Sequence, residues 1–397
     1  MNILIIPSWY TTPENPISGI FFKEQALALQ SYFERFMPES KGYVLSLEAF
    51  SVFSIKTYLK RKSFCNKVED GIPTIRSKLL MIPKLHEKNY YRAGKKLSRL
   101  VKKAQNVWNV HFDLVHIHSA LEAGIWYNFS DLNIPYVLTE HMSSYSRGLI
   151  TNLQKRYLPQ VFSKASSLIA VGNGLVKSMR EYTDRDIKVI FNIVTNKYAE
   201  LLKTVENKKN EVFTLFSLGV NARKKGYDVL LSAFQKFMQS ENNGKLIIAG
   251  LEEAEKEWLL SLNISPDVMA HVELLGRLPR EQVFSYMNAC DCFALVSRHE
   301  TFGVVFAEAM YCGKPVIASI TGGPDSFVNQ DNGILVPTED VEKTAGAMIA
   351  MKNTIASYSA EKIRAFAEEN FSPDVICKQL CSVYDEVMKM NRGGTTV

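Results

Sequence analysis

The sequence predicts an α/β fold made of two doubly wound, Rossmann-like domains. Short apolar, strand-like runs alternate with helical patterns along the chain, which is typical of parallel sheets covered by helices. The plan occurs once in each half, and a chain of 397 residues is longer than one hydrophobic core ordinarily holds. We therefore expect a domain over residues 1–200, a second domain over 201–372 and a final segment over 373–397.

The predicted strands are short apolar runs. In the first half they lie at residues 3–7, 115–118, 136–139, 168–171 and 188–191. In the second half they lie at residues 214–218, 245–249, 272–275, 292–296 and 316–318. Helical patterns separate them, such as residues 227–238, where one face is apolar. Residues 200–211 are polar and are the predicted linker, and an amphipathic helix over residues 375–390 ends the chain.

Charge divides the chain into a basic and an acidic half. Residues 1–200 hold 27 Lys and Arg against 16 Asp and Glu, whereas residues 201–397 hold 20 against 25. Basic clusters lie at residues 56–67 and 95–103. Such a face fits an anionic partner, either nucleic acid or a membrane surface, and the equal alternative is a solvated helix face. In the second cluster we expect Leu97, Leu100 and Val101 to enter the lipid headgroups; the equal alternative is a core helix whose apolar side faces the sheet.

The N-terminal apolar run is too short for a secretory or membrane segment, because Pro7 ends it after four residues. We therefore expect a cytoplasmic protein. Its six cysteines form no C-x-x-C pair, so we expect reduced structural thiols. His116, His118 and His141 imitate a three-histidine zinc site, but hydrogen-bonded histidines at strand ends are the preferred interpretation, and we expect no bound metal.

Residues 298–319, RHETFGVVFAEAMYCGKPVIAS, carry the most informative pattern. They predict a short loop after the strand at 291–297, a helix over 302–312 that Gly313 ends, and another strand. Loops at the carboxyl ends of parallel strands are where such sheets bind ligands. Gly303 at the helix start lets a diphosphate approach free amide groups. Glu308 lies about 7–8 Å along the axis, within reach of a ribose, and Glu300 can accept hydrogen bonds from a sugar.

The pattern E-x-F-G-x-x-x-x-E-A-M-x-x-G-x-P-V-I-A, followed by Gly322-Gly323-Pro324, closely resembles the family-four retaining glycosyltransferases of the GT-B fold. The likeness extends along most of the chain. Residues 113–118 and 139–141 resemble that family's histidine-bearing strand ends. Residues 218–226 resemble its phosphate loop, and residues 276–278 resemble its nucleobase contact. The final helix resembles the family's crossover helix, which packs on the first domain.

The resemblance implies a role for each matching residue of the second domain. Glu308 would bind ribose, and Glu300 would contact the donor sugar. Lys225 would neutralise the leaving diphosphate. Backbone groups near the diphosphate and the base would come from Phe302, Gly303, Val304, Arg277 and Leu278.

In the first domain, the resemblance implies that Gly19 lets a loop close on the diphosphate and that His141 contacts the transferred sugar. Two positions depart from the family pattern. Val220 stands where the family usually has Arg, and we expect Arg223 to supply the missing charge. Asp325 stands where Glu is more usual.

The resemblance thus implies a metal-independent, retaining glycosyltransferase that needs no cofactor. Its donor would be a UDP- or GDP-linked sugar, and its acceptor a sugar or a lipid-linked molecule in bacterial surface polysaccharide or glycolipid synthesis. We expect no nucleic-acid partner and a place at the inner face of the membrane. The alternatives are a nucleotide-sugar epimerase or phosphorylase on the same fold, or a catalytically silent GT-B scaffold, which only Val220 favours.

Overall fold

The computed structural model describes residues 1–195, 201 and 210–393. The predicted linker at residues 200–211 therefore lies outside the described residues, apart from Leu201, Asn210 and Glu211. The chain divides into two compact units. Unit 1 contains Met1–Val171, Leu175–Ile193 and Pro373–Val397, and unit 2 contains Gly172–Gly174 and Val194–Ser372.

Unit 1 is built on a sheet in the order β3-β4-β2-β1-β5-β6-β7-β8. All neighbouring strands are parallel except β3 and β4. The strands are β1 Asn2–Pro7, β2 Lys41–Ser51, β3 Cys65–Glu69, β4 Ile72–Met81, β5 Leu114–His118, β6 Tyr136–Glu140, β7 Ser167–Ala170 and β8 Ile187–Val189. Chain order reverses between β1 and β5, so the loops after these two strands flank the place where doubly wound sheets bind ligands.

The helices of the first part of the chain are α1 Ile20–Phe36, α2 Ile55–Lys60, α3 His86–Trp108, α4 Ile125–Asn128, α5 Asn152–Lys164 and α6 Asn173–Met179. The final helix, Pro373–Gly393, also belongs to unit 1. Its apolar side, including Ile376, Leu380 and Tyr384, is part of the core formed with β1 and α1. No helix within the described residues is both long and apolar enough to cross a membrane.

Unit 2 contains a parallel sheet in the order β11-β10-β9-β12-β13-β14. Its strands are β9 Thr214–Leu218, β10 Lys245–Ala249, β11 Val272–Leu274, β12 Cys292–Leu295, β13 Val316–Ser319 and β14 Gly333–Val336. Its helices are α7 Tyr227–Glu241, α8 Glu253–Leu260, α9 Pro266–Met269, α10 Arg280–Ala289, α11 Val304–Tyr311, α12 Val341–Thr354 and α13 Ala360–Phe371; the final helix of the chain is α14. This is the dinucleotide-fold strand order, with its reversal between β9 and β12. The prediction of two doubly wound, parallel α/β sheets is confirmed.

Four strands were missing from the prediction. The structure adds β2, β3 and β4 to the first sheet and β14 to the second. Strand β4 contains Pro73 and two cations, Arg76 and Lys78, so its sequence is more typical of a polar loop than of a strand. The sheet accepts these side chains because Glu69 binds Arg76 at 2.6 Å and the carbonyl of Tyr58 accepts a hydrogen bond from Lys78 at 2.7 Å.

The expectation that the apolar side of residues 95–103 enters a membrane was wrong. These residues lie within α3, and Leu97, Leu100 and Val101 are buried. The alternative interpretation, a core helix facing the sheet, therefore holds. The basic side chains of the same helix remain on its other side. Five of the six free cysteines are buried, as expected of structural thiols.

Candidate functional site

The loops that follow β9 and β12 form the centre of the candidate site in unit 2. The ammonium of Lys225, in the first loop, forms an ion pair with the carboxylate of Glu300, in the second. Only 13% of the Lys225 side chain and 10% of the Glu300 side chain are exposed. Ser297 Oγ donates a second hydrogen bond to Glu300, at 3.0 Å. Two predicted site residues are thus in direct contact at the point where strand order reverses.

Glu300 is ionised despite its burial. Burial by itself would raise the pKa of this carboxyl, but the charge and hydrogen bond of Lys225 outweigh it and lower the pKa below its usual value. Lys224 and Ser297 act in the same direction. The site therefore holds a fixed carboxylate beside a fixed ammonium group.

Close contacts hold Lys225 and the two loops in place. Within the first loop, the aliphatic part of Lys225 passes over Gly219, where a Cβ would lie 2.6 Å from Lys225 Cε. The amide of Arg298 donates to the carbonyl of Lys224 at 2.9 Å. The Arg298 guanidinium also donates to both carboxylate oxygens of Asp228, at 2.9 and 2.8 Å. Arg298 is therefore a positioning residue for Glu300, a role that was not predicted from the sequence.

The start of α11 presents unpaired amide groups. Gly303 has φ +84°, a left-handed conformation that favours glycine, and a Cβ there would lie 2.6 Å from the Phe306 ring. Among the described residues, the amides of Gly303, Val304 and Val305 donate to no backbone or side-chain acceptor. Together with the helix dipole, such amides attract phosphate oxygens. The preceding ring, Phe302, is buried and packs against Phe327 at a centroid distance of 5.2 Å.

Glu308 lies on the buried side of α11. Its carboxylate is 3.5 Å from a guanidinium nitrogen of Arg280, the first residue of α10. Arg280 was missed because only the fold brings it to Glu308. Arg277 is largely exposed and donates to Glu252 at 2.5 Å, and Leu278 is half-buried beside it.

Arg223 does not join the Lys225–Glu300 pair. Its guanidinium lies 4.2 Å from the centre of the Trp258 ring in α8. Val220, the departure from the family pattern, is half-exposed. Asp325, the second departure, accepts a hydrogen bond from the amide of Thr321 at 3.2 Å and so holds its own loop. The role predicted for Arg223 stays a prediction.

Unit 1 contains a buried chain of histidines at the ends of β5 and β6. His118 Nδ1 and His141 Nε2 are 3.0 Å apart, and His116 Nε2 is 2.8 Å from the hydroxyl of Thr139. His116 Nδ1 is 2.7 Å from the hydroxyl of Tyr384 in α14. These pairings are those of hydrogen-bonded histidines. No cluster able to hold a metal ion is found within the described residues.

Burial keeps these imidazoles neutral at neutral pH. It lowers the pKa of His116 and that of His141 to about 3, and that of His118 well below its usual value. Asn192 approaches His141 and opposes the shift. Within the described residues, His141 Nδ1 still has no hydrogen bond of normal geometry.

Glu140 organises the loops around these histidines. Its carboxylate accepts hydrogen bonds from the amides of Ala120, His141 and Met142, at 2.8–2.9 Å. Glu140 has no predicted role, although residues 139–141 match the resemblance. Gly19, the other predicted residue of unit 1, has φ +76° and precedes α1. Its part in loop closure stays a prediction.

Comparison with known proteins identifies matches over most of the chain. The model of the family described as Glycosyl transferases group 1 matches residues 199–367, and that of Glycosyltransferase Family 4 matches residues 59–196. An uncharacterized glycosyltransferase of Methanocaldococcus jannaschii is 30% identical over 252 residues, 62% of this chain. The chain matches 65% of that relative's length.

Two further relatives carry more specific names. "GDP-mannose-dependent monoacylated alpha-(1-6)-phosphatidylinositol monomannoside mannosyltransferase" of Corynebacterium glutamicum is 28% identical, over 40% of this chain and 44% of its own length. "Putative teichuronic acid biosynthesis glycosyltransferase TuaC" of Bacillus subtilis is 23% identical, over 88% of both chains.

Solved structures are similar over nearly the whole length. Sucrose-phosphate synthase of Thermosynechococcus elongatus has a TM-score of 0.74 and 18% identity, covering 98% of this chain and 100% of its own. Anabaena HepE in complex with UDP-glucose has a TM-score of 0.66 and 20% identity, covering 97% and 100%. These likenesses concern the fold.

Proposed function

Because the chain belongs to the group 1 glycosyltransferases and has their GT-B fold, we propose that it transfers a sugar from a nucleoside-diphosphate donor to an acceptor hydroxyl with retention at the anomeric carbon. The observation that carries this proposal is the Lys225–Glu300 ion pair at the strand-order reversal, beside the unpaired amides of α11. This combination offers positive charge to a diphosphate and a carboxylate to the sugar joined to it.

Each site residue has a role in this proposal. The amides of Gly303 and Val304 bind diphosphate oxygens, and Lys225 turns from Glu300 toward the departing phosphate. Such donors stabilise charge that develops in the transition state, and loss of one typically costs about 2.7–4 kcal/mol. Glu300, released in part from Lys225, accepts hydrogen bonds from the donor sugar. Glu308, oriented by Arg280, accepts those of the ribose.

We propose a direct front-face displacement without a covalent enzyme intermediate. The bond from the anomeric carbon to the diphosphate breaks first, and the acceptor hydroxyl attacks the same face while its proton passes to the departing phosphate oxygen. His141 is proposed to contact the transferred sugar through its neutral ring. No metal is required, because Lys225 and the α11 amides supply the positive charge that a metal otherwise supplies.

The donor is proposed to be UDP- or GDP-linked. UDP-glucose is bound in the structure of HepE, which has a similar fold, and this supports a uridine donor. The name of the C. glutamicum relative contains GDP-mannose, and this supports a guanosine donor. Surface polysaccharide or glycolipid is the proposed product, and the names of the two bacterial relatives support it.

We propose that the protein works at the inner face of the membrane, attached through residues 53–62. Phe53 is 95% and Leu59 69% exposed, while Lys56 and Lys60 lie on the same short segment. Apolar side chains can enter the headgroup region, and each lysine near an anionic surface adds about 1 kcal/mol of attraction. Cosedimentation with anionic vesicles should be lost in Phe53→Ser/Leu59→Ser and should weaken with salt. Absence of sedimentation even at low salt would contradict attachment.

The transfer reaction is tested with a panel of nucleotide sugars and sugar acceptors, using proton NMR to read the anomeric configuration of the product in the presence of EDTA. Retained configuration with undiminished activity is expected. An inverted product would contradict the mechanism, and loss of activity in EDTA would contradict metal independence. An epimerised donor or a free sugar phosphate would identify one of the alternative enzymes, and donor binding without turnover would identify a silent scaffold.

A further inference from the structure

A pocket in unit 1 has only cations among the charged lining residues that the structure describes. It is an open pocket of about 430 Å³ between β4 and α3, which we call the β4–α3 pocket. The charged side chains that line it are Lys78, Arg92, Lys95, Lys96 and Arg99, with no carboxylate among them. It lies near the carboxyl end of β4, the sheet edge that also carries the histidines of β5 and β6. Neither the donor site nor the histidine chain uses it.

Four of these cations share one face of α3. Arg92, Lys95, Lys96 and Arg99 stand at positions i, i+3, i+4 and i+7, which are neighbours on a helix surface. Like charges at these spacings destabilise a helix by roughly 0.2–0.5 kcal/mol per pair. A merely solvated face would intersperse acidic residues, but Glu87 is the one acid of α3 against seven Lys and Arg.

Among the residues that the structure describes, one cation of the pocket has a carboxylate partner. Lys95 binds Asp131 at 2.7 Å. Lys78, which is 8% exposed, donates to the carbonyl of Tyr58, and Arg92 donates to the carbonyl of Leu80 at 3.1 Å. Arg99 has no ion pair or hydrogen bond within the part of the chain that the structure describes.

Neighbouring cations of the pocket repel the charge of Lys96. Its ammonium donates to the carbonyl of Lys78, so it is held at the wall of the pocket. Burial, and then the charges of Lys78, Arg99 and Arg92, lower the pKa of Lys96 below its usual value. An anion in the pocket would remove this repulsion, and in the partly desolvated space its attraction to the cations is stronger than in open water.

We propose that the β4–α3 pocket binds the phosphate or diphosphate group of a ligand. Arg92 and Arg99 are about 10.5 Å apart along the helix and reach the group from two sides, with Lys96 between them. Guanidinium groups match phosphate oxygens in pairs, whereas ammonium groups act as point charges. The inference rests on the proposed function in one respect only, that the ligand carrying the phosphate is the acceptor. A lipid-linked acceptor can carry such a group, and so can a water-soluble one.

The test is a calorimetric titration of the full chain with inorganic pyrophosphate at low ionic strength. Pyrophosphate also fits the proposed donor site, so Lys225→Met is used to remove that contribution. In this background, Arg92→Gln/Arg99→Gln should weaken binding at least about tenfold, equal to about 1.4 kcal/mol. The matched control is Lys88→Gln/Lys102→Gln, which removes the same charge from exposed positions of α3 outside the pocket and should change affinity less than about twofold.

Two results would overturn the proposal. One is that Lys225→Met protein binds no pyrophosphate; the other is that the control weakens binding as much as the pocket variant, since that indicates diffuse attraction. Arg99→Glu, at an exposed position, repeats the test if the double variant does not fold. Lys225→Met could leave pyrophosphate affinity unchanged while Arg92→Gln/Arg99→Gln abolishes binding. That result would support phosphate binding in the β4–α3 pocket and would contradict the proposed donor site.

Cosedimentation with vesicles distinguishes a phosphate on a lipid from a phosphate on a water-soluble ligand. If the phosphate is borne by a lipid, Arg92→Gln/Arg99→Gln should sediment with phosphatidylcholine vesicles that contain phosphatidic acid less than the wild type and less than Lys88→Gln/Lys102→Gln, although residues 53–62 still attach every variant. Pyrophosphate binding without this vesicle difference indicates a water-soluble phosphate. Both results support the pocket.

Discussion

Replacing Lys225 with Met should destabilise unit 2 and should do so in a pH-dependent way. The change removes the ammonium partner of a nearly buried carboxylate, because 10% of the Glu300 side chain is exposed and Ser297 is its other hydrogen-bond donor. Breaking a buried ion pair from one side costs about 3–5 kcal/mol. For a domain of 150–250 residues, about 3 kcal/mol lowers the melting temperature by roughly 6–12 °C.

The pH dependence follows from the direction of the Glu300 pKa. In the wild type the folded-state pKa is lowered, so the pair stabilises the fold above the unfolded-state value near 4.5 and loses this effect as pH falls through the folded-state value. Without Lys225, burial raises that pKa instead. The difference in melting temperature between the two proteins should therefore be largest at neutral pH and should shrink below about pH 5.

Differential scanning calorimetry of the ligand-free chain measures this, since it can resolve separate transitions of a two-domain protein. Lys225→Met/Glu300→Gln should recover part of the loss, because no buried charge is left unpaired. Lys245→Met is the control, since it breaks a surface pair with Glu273 at 2.7 Å and should cost less than about 1 kcal/mol. A Lys225→Met shift no larger than that of the control, or one independent of pH, would refute the account of a buried pair.

Three further predictions concern the sites. Glu308→Gln should raise the Kd for the nucleotide and leave kcat nearly unchanged, because a ribose contact exists in the ground and transition states alike. Isothermal titration and steady-state rates check this, and an effect on kcat alone would contradict it. Gly303→Ala should weaken diphosphate binding and lower the melting temperature, since a Cβ would meet the Phe306 ring at 2.6 Å; wild-type affinity for the nucleoside diphosphate would contradict the close approach. Since burial lowers the pKa of His141 to about 3, the dependence of kcat/KM on pH should show no histidine ionisation between pH 5 and 8. His141→Gln should leave the shape of this pH dependence unchanged. A change of slope near pH 6.5 that is lost in this variant would refute the neutral His141 ring.

The sequence was most informative where local chemistry and fold agree. The unit of β12, α11 and β13 could be predicted within two residues at most of its ends, because Gly303, Gly313 and an apolar strand on either side leave few alternatives. Glu300 and Lys225 could be named from the pattern. Their mutual ion pair could not, since it joins residues 75 positions apart.

Long-range pairing also explains what was missed. Arg76 and Lys78 make β4 resemble a loop in sequence, because their partners, Glu69 of β3 and the carbonyl of Tyr58 in α2, are visible only in the fold. A signal was present, because Asp70 and Gly71, both with positive φ, form the kind of turn that joins antiparallel strands. Arg280 and Arg298 are ordinary surface residues in sequence. Only tertiary structure places them beside Glu308 and Asp228.

Binding of nucleotide sugars to the full chain, measured by isothermal titration, tests the central claim most directly. The claim is that the β9 and β12 loops hold the diphosphate of a nucleotide sugar. One UDP- or GDP-linked sugar should bind with one-to-one stoichiometry, Glu308→Gln and Gly303→Ala should each weaken it, and the surface variant Lys245→Met should not. At a hundred times its Kd this ligand should add about 2.7 kcal/mol to the stability of the fold. If no nucleotide sugar binds, or if one binds and both site variants retain wild-type affinity, the account of this site is wrong.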